Sequence, residues 1–263
     1  MISITSAQLD TWLALFVFPL SRILGLLASA PVFNNAALPV RVRLIAGLAI
    51  ALALAPALPP LPAIPASSWI GLAVMAEQIL IGVLLGFTLR ITFAAVDVAG
   101  ELVGLQMGLS FATFFDPDSG GQTPVVSEFL GLLTALVFLA LNGHLLTLTA
   151  LAESFTLLPV STTPIHAAAF ASLMAWSAIL FSTGLLLALP LITALLIANI
   201  ALGVLARIAQ QLNLFAVGFP VTLALGFLVL LLSLPYIGAA MESLFTQGFQ
   251  AMGTVMRAAG NPL

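Results

Sequence analysis

Arg90, Asp97 and Glu101 are the charges best placed to do chemistry in this sequence, standing seven and four residues apart. At about 100° per residue that spacing puts them on one stripe of a helix. A charge at the centre of a bilayer costs about 2.5–3.5 kcal/mol on insertion scales. The stripe therefore reads in two ways: a polar seam facing a partner or an aqueous path, or a helix end close to the membrane interface. A single arginine beside two acids leaves one carboxylate for another chain or water to serve. Bond-making chemistry is poorly provided for. The chain has no cysteine and no lysine, its six positive charges being Arg22, Arg41, Arg43, Arg90, Arg207 and Arg257. That removes thiolate nucleophiles, Schiff bases and the phosphate-binding lysine of a P-loop. His144 in "LNGH" and His166 in "TPIHAA" have no histidine or carboxylate nearby at metal-ligand spacing, and metal sites need three or four convergent ligands. No Ser, His and Asp arrangement forms a triad, and no two acids are placed for hydrolysis. The expectation is a protein that is no enzyme and binds no cofactor.

A second constellation is physical. Residues 104–124 read "GLQMGLSFATFFDPDSGGQTP", and Phe111, Phe114 and Phe115 would share one face if helical. Pro117 stops a helix at Asp116, and Gly120 with Gly121 admits positive φ. The result is a bulky apolar tip between glycines, Gly108 before it and the pair after. Irregular backbone at membrane depth must line a protein cavity, so the segment is either a pore-facing loop or a Phe-anchored loop at the surface. Gly82 with Gly86, and Gly100 with Gly104 and Gly108, repeat a four-residue spacing that lets helix backbones approach closely. In "RIAQQLNLFAVGFP", Arg207, Gln210, Gln211 and Asn213 make a polar turn. With Arg41 and Arg43 it reads as cytoplasmic loop or as a docking surface for a cytoplasm-facing partner.

The elements that must position these residues are membrane helices. The 263 residues are 62% hydrophobic and 6% charged, with a mean hydropathy of +1.25, whereas soluble domains carry about 25% charged residues. No charge interrupts Leu44 to Ala76, Ser154 to Ala206 or Ile208 to Met241, and a span needs roughly 20 residues. Breaking the chain at Pro, Gly and charge clusters gives about six apolar helices: Trp12–Ala30, Val42–Leu58, Trp69–Val96, Val125–Leu151, Ala167–Ile200 and Leu214–Leu234. A seventh, Gly238–Met256, is amphipathic. The expected fold is thus all-α and polytopic, one membrane domain over residues 1–263. An outside N-terminus puts Arg41, Arg43, Arg90 and Arg207 on the cytoplasmic side and only Arg257 opposite, as positive loops prefer. The N-terminal "MISITSAQLDTW" lacks the basic region of a cleaved signal. A net charge of -3 gives no reason to expect nucleic acid. A small-solute secondary transporter or channel subunit remains as the alternative class, although secondary transporters carry an internal repeat and none is visible.

Particular stretches go further. "APVFNNAALPVRVRL" at 30–44, "AGELVGLQMGLSFATFFDP" at 99–117, "LNGH" at 141–144, "LALPLITALLIANIALGVLARIAQQLN" at 187–213 and "FAVGFP" at 215–220 together resemble the FliR family of the flagellar type III protein-export gate. Leu141 departs from the pattern, where an aromatic residue is expected before the Asn-Gly-His. The resemblance implies bent helical hairpins that stand partly above the bilayer, FliP-like and FliQ-like partner subunits, and FlhB-like and FlhA-like export components. It implies unfolded flagellar proteins as cargo, and a place in the bacterial inner membrane within the flagellar basal body, in contact with lipid. It also implies that Gly108, Leu109, Ser110, Phe111, Ala112, Thr113, Phe114 and Phe115 form a pore plug within the loop 108–124, closed by Asp116, Pro117, Gly120 and Gly121 as its hinge. Arg90, Asp97 and Glu101 would then face neighbouring subunits or the lumen.

Overall fold

A computed structural model describes residues 6–35, 37–60, 62, 64–109, 124–208 and 214–260. It is 85% helical, with seven helices and no strand among the described residues. The helices are α1 (Ser6–Ser29), α2 (Val40–Leu54), α3 (Trp69–Gln106), α4 (Val125–Ala140), α5 (Gly143–Leu157), α6 (Ala168–Ile208) and α7 (Leu214–Gly260). Four helical stretches are long and apolar enough to cross a membrane, or five if the bent pair α4 and α5 makes one span. The all-α polytopic fold stands as read from the sequence, but two of its divisions move.

The apolar run Val125–Leu151 breaks at Asn142, which takes a left-handed φ of 56° and starts α5. Asn tolerates that conformation better than other residues with a Cβ. Conversely, Leu214–Leu234 and Gly238–Met256 are one continuous helix running through Pro220 and Pro235. Proline costs a helix one backbone hydrogen bond, and where no water competes the remaining bonds keep the helix intact.

The chain forms two compact units, 1–91 with 142–177 and 245–263, and 92–141 with 178–244. In the first unit α1 lies against α3 with backbones in direct contact. A Cβ on Gly82 would strike the Arg22 carbonyl and sit 2.8 Å from the Leu26 nitrogen, and one on Gly86 would strike the Ser29 hydroxyl. Gly25 closes the same contact from the α1 side, its Cβ position 3.3 Å from the Gly82 Cα. Helix α2 rests on α1 at Gly47, against Leu24.

In the second unit the C-terminal part of α3 packs on α4 at Gly100, whose Cβ would collide with the Ser127 backbone. Phe93 meets Phe138 edge-to-face, with ring centroids 5.5 Å apart. Gly184 of α6 comes close to the Ala95 carbonyl, at 2.8 Å from its Cβ position. The space among the aliphatic side chains of Val96, Ala99, Val103, Leu130, Leu187 and Leu191 is about 10 Å³, too small for a solute.

Candidate functional site

The candidate site is built around α3. This helix is the most enclosed of the candidate spans: 61% of its apolar window is buried, against 22% for α6 and 17% for α7. It ends where the Phe-rich segment begins, and the ending is well defined. The Gly108 N–H donates to the Leu105 carbonyl and the Leu109 N–H to the Gly104 carbonyl, both at 3.0 Å. Gly108 has φ 79°. These two bonds and the left-handed residue are a Schellman cap. Gly108 therefore terminates the helix, and the expected loose glycine ahead of the loop is a fixed one. Met107, the residue before it, is fully buried and lies on Gly226 of α7. Leu109 is half-buried. Ser110, Phe111, Ala112, Thr113, Phe114 and Phe115, with Asp116, Pro117, Gly120 and Gly121, lie outside the described residues.

Arg90, Asp97 and Glu101 are all exposed on α3. The Asp97 carbonyl accepts a hydrogen bond from the Ser127 hydroxyl at 3.0 Å, tying the seam helix to the start of α4. Of the four glycines with helix-packing spacing, Gly82, Gly86 and Gly100 sit at backbone contacts, whereas among the described residues a Cβ on Gly104 would meet only Val126, at 3.9 Å.

The residues read as a docking surface separate. Arg41 is exposed. Arg43 instead closes the 34–38 turn: it donates to Asn34 Oδ1 at 2.5 Å, to the Leu38 carbonyl at 3.0 and 3.2 Å and to the Asn35 carbonyl at 3.2 Å. Arg207 is exposed in the last turn of α6, and Gln210 and Gln211 lie outside the described residues. His166 donates its backbone N–H to the Ala259 carbonyl at 3.1 Å. His144 is half-buried, and its Nδ1 has no hydrogen-bond partner among the described residues.

A buried arginine is the feature that sequence reasoning passed over. Arg22 is 0% exposed. Its Nε donates to Gln78 Oε1 at 2.9 Å and one terminal nitrogen donates to the same atom at 2.5 Å and to the Leu158 carbonyl at 2.8 Å. The other terminal nitrogen donates to the Ser154 carbonyl at 2.8 Å and the Ser154 hydroxyl at 3.1 Å. All five guanidinium N–H donors are thus occupied, and the group stacks 4.1 Å from the centre of the Phe155 ring. Its acceptors at Ser154 and Leu158 lie at the C-terminus of α5, the negative end of that helix. Half-buried Glu77 supplies a nearby negative charge. Arg22 therefore joins α1, α3 and α5 with no carboxylate in contact among the described residues. Its lone position inside the first apolar segment was the available signal, since such a charge must find partners.

Comparison with known proteins bears on the whole of this arrangement. The sequence model of the family described as bacterial export proteins, family 1, matches residues 13–248. The flagellar biosynthetic protein FliR of Pectobacterium carotovorum subsp. carotovorum is 46% identical over 256 residues, covering 97% of this chain and 98% of the relative. Its counterpart in Escherichia coli strain K12 is 43% identical over the same shares of both chains. That of Aquifex aeolicus strain VF5 is 34% identical over 87% of this chain and 88% of its own.

Proposed function

The chain belongs to the bacterial export proteins, family 1, and with that as the premise we propose that it is a membrane subunit of the flagellar type III protein-export gate. The observation that carries the reading is the extent of the likeness: relatives named as flagellar biosynthetic proteins align with nearly the whole chain, not with one segment of it. In this reading the chain assembles with FliP-like and FliQ-like subunits, and works with FlhB-like and FlhA-like components, in the bacterial inner membrane at the flagellar basal body. Unfolded flagellar proteins pass through the channel so formed, and this subunit makes and breaks no bonds in them.

The Phe-rich loop beyond α3 is the occluding element of the resting channel. A passage wide enough for an unfolded polypeptide leaks ions unless it is closed, and apolar constrictions close by excluding water. Phenylalanines suit that task. The exposed Arg90, Asp97 and Glu101 serve contacts to neighbouring subunits or the lumen, where a charge escapes the cost of lipid. Exposed Arg41 and Arg207 serve the cytoplasmic side together with Gln210 and Gln211, while Arg43 keeps the adjoining turn in shape.

Purification in mild detergent followed by mass spectrometry tests the assembly. FliP-like and FliQ-like subunits should be recovered in excess over this chain. A solitary monomer or a homodimer overturns the reading.

A further inference from the structure

We propose that Met107 and Gly226 form a seat that fixes where the Phe-rich loop leaves α3, so that the loop's position is set from α7. The inference rests on the plug reading above for its consequence, but not for its geometry. Met107 is fully buried as the last residue before the Schellman glycine, its own N–H bonded to the Val103 carbonyl at 2.9 Å. A Cβ on Gly226 would stand 2.7 Å from both Cγ and Cε of Met107 and 2.9 Å from its sulfur. Three consecutive atoms of one side chain lie against one glycine, so the thioether is laid flat across the α7 backbone. A side chain at position 226 cannot be accommodated by swinging the methionine tip alone, because Cγ, one bond from Cβ, is among the atoms met. Met107 is fully buried, so close packing opposes a turn about χ1 and the overlap is relieved by displacing Met107 together with its backbone. Its backbone, however, is tied into the cap by the bonds from Gly108 to Leu105 and from Leu109 to Gly104. A shift of the Met107 backbone is thereby passed to Gly108 and Leu109. Met107 and Gly226 are positioning residues: neither need touch the exported chain.

The absence of cysteine from this chain allows a single reporter. Ala112→Cys carrying a nitroxide label reads the mobility of the loop in the gate assembled with its partner subunits, while planar-bilayer recording reads resting ion conductance. Gly226→Ala should sharpen the nitroxide lines and raise conductance several-fold at an unchanged yield of assembled gate. Met107→Ala, which removes the thioether without a clash, should act in the same direction. The double variant should fall below the Gly226→Ala effect, because Met107→Ala deletes the three atoms that a methyl at position 226 would meet. Gly203→Ala, with nothing within 4 Å of its Cβ position, should leave both readouts at the parental level. If Gly226→Ala prevents assembly, Met107→Ala carries the test.

Deletion of residues 109–115 separates the two ideas. A deletion that raises conductance, beside Gly226→Ala and Met107→Ala variants that leave label and conductance unchanged, overturns the seat. Label mobility that rises in those variants, with conductance unaffected by them and by the deletion, supports the seat and overturns the plug.

Discussion

Removing one partner from the Arg22 cluster is costlier than removing both. Gln78→Leu leaves a buried guanidinium with two N–H donors unmet, and an uncompensated buried charge costs roughly 3–5 kcal/mol. Arg22→Met strands Gln78 Oε1 and the Leu158 carbonyl instead, at about 1–3 kcal/mol each. The double variant Arg22→Met with Gln78→Leu eliminates the charge and one of the stranded acceptors. It should therefore be more stable than Gln78→Leu alone, as followed by the thermal unfolding of the purified protein in detergent. A double variant that melts below Gln78→Leu contradicts the hydrogen-bond assignment. Arg22 was readable in the sequence as a charge in an apolar segment, but its role was not. Its acceptors lie 56, 132 and 136 residues away, and none is a carboxylate, so no local spacing announces them. The seam was legible for the opposite reason: Arg90, Asp97 and Glu101 occupy one helix, where spacing alone sets the face.

Helix by helix, what the sequence conveys is a face and what it withholds is whatever lies opposite. Gly82 and Gly104 belong to pairs with the same four-residue spacing, yet the structure treats them differently. The first is in contact with the α1 backbone, and among the described residues the second faces only Val126, at ordinary van der Waals distance. Gly82→Ala should therefore force α1 and α3 apart and cost about 1–3 kcal/mol, the range of overpacked cores. Gly104→Ala fills available space and replaces a poor helix former, so it should be neutral or stabilise by up to about 1 kcal/mol. Thermal unfolding of the two variants side by side decides this, and equal losses would mean that spacing, not contact, governs both. The same limit explains the divisions that moved. Pro235 reads as a stop, yet the helix runs through it, because in an apolar setting a broken helix end leaves backbone groups to be satisfied. Asn142 reads as an ordinary polar residue until its left-handed φ of 56° is seen to end one helix and begin the next.

For the molecule as a whole, the deciding quantity is length. Helix α6 has 41 residues and so extends about 62 Å at 1.5 Å per residue. A hydrocarbon layer is only about 30 Å thick. Lipid can thus cover no more than about half of the helix when it stands across the membrane. Its exposed apolar side chains are nevertheless spread from end to end, with Met174 74%, Phe181 71%, Ile197 63% and Ile208 78% accessible. Along the helix Met174 and Ile208 are about 51 Å apart, so where α6 runs straight across the membrane they cannot both be in lipid. Whichever end lies beyond the hydrocarbon presents apolar surface that the partner subunits of the proposed export gate would cover. In a chain without cysteine, Met174→Cys and Ile208→Cys report this directly. With the chain produced alone in permeabilised cells, at least one of the two should react with a membrane-impermeant maleimide. Production together with the FliP-like and FliQ-like subunits should suppress that reaction. Protection of both positions in the chain alone requires α6 to lie along the membrane or fold back within it, and removes the need for a covering partner. Labelling that partner subunits leave unchanged puts the assembly surface elsewhere on the molecule.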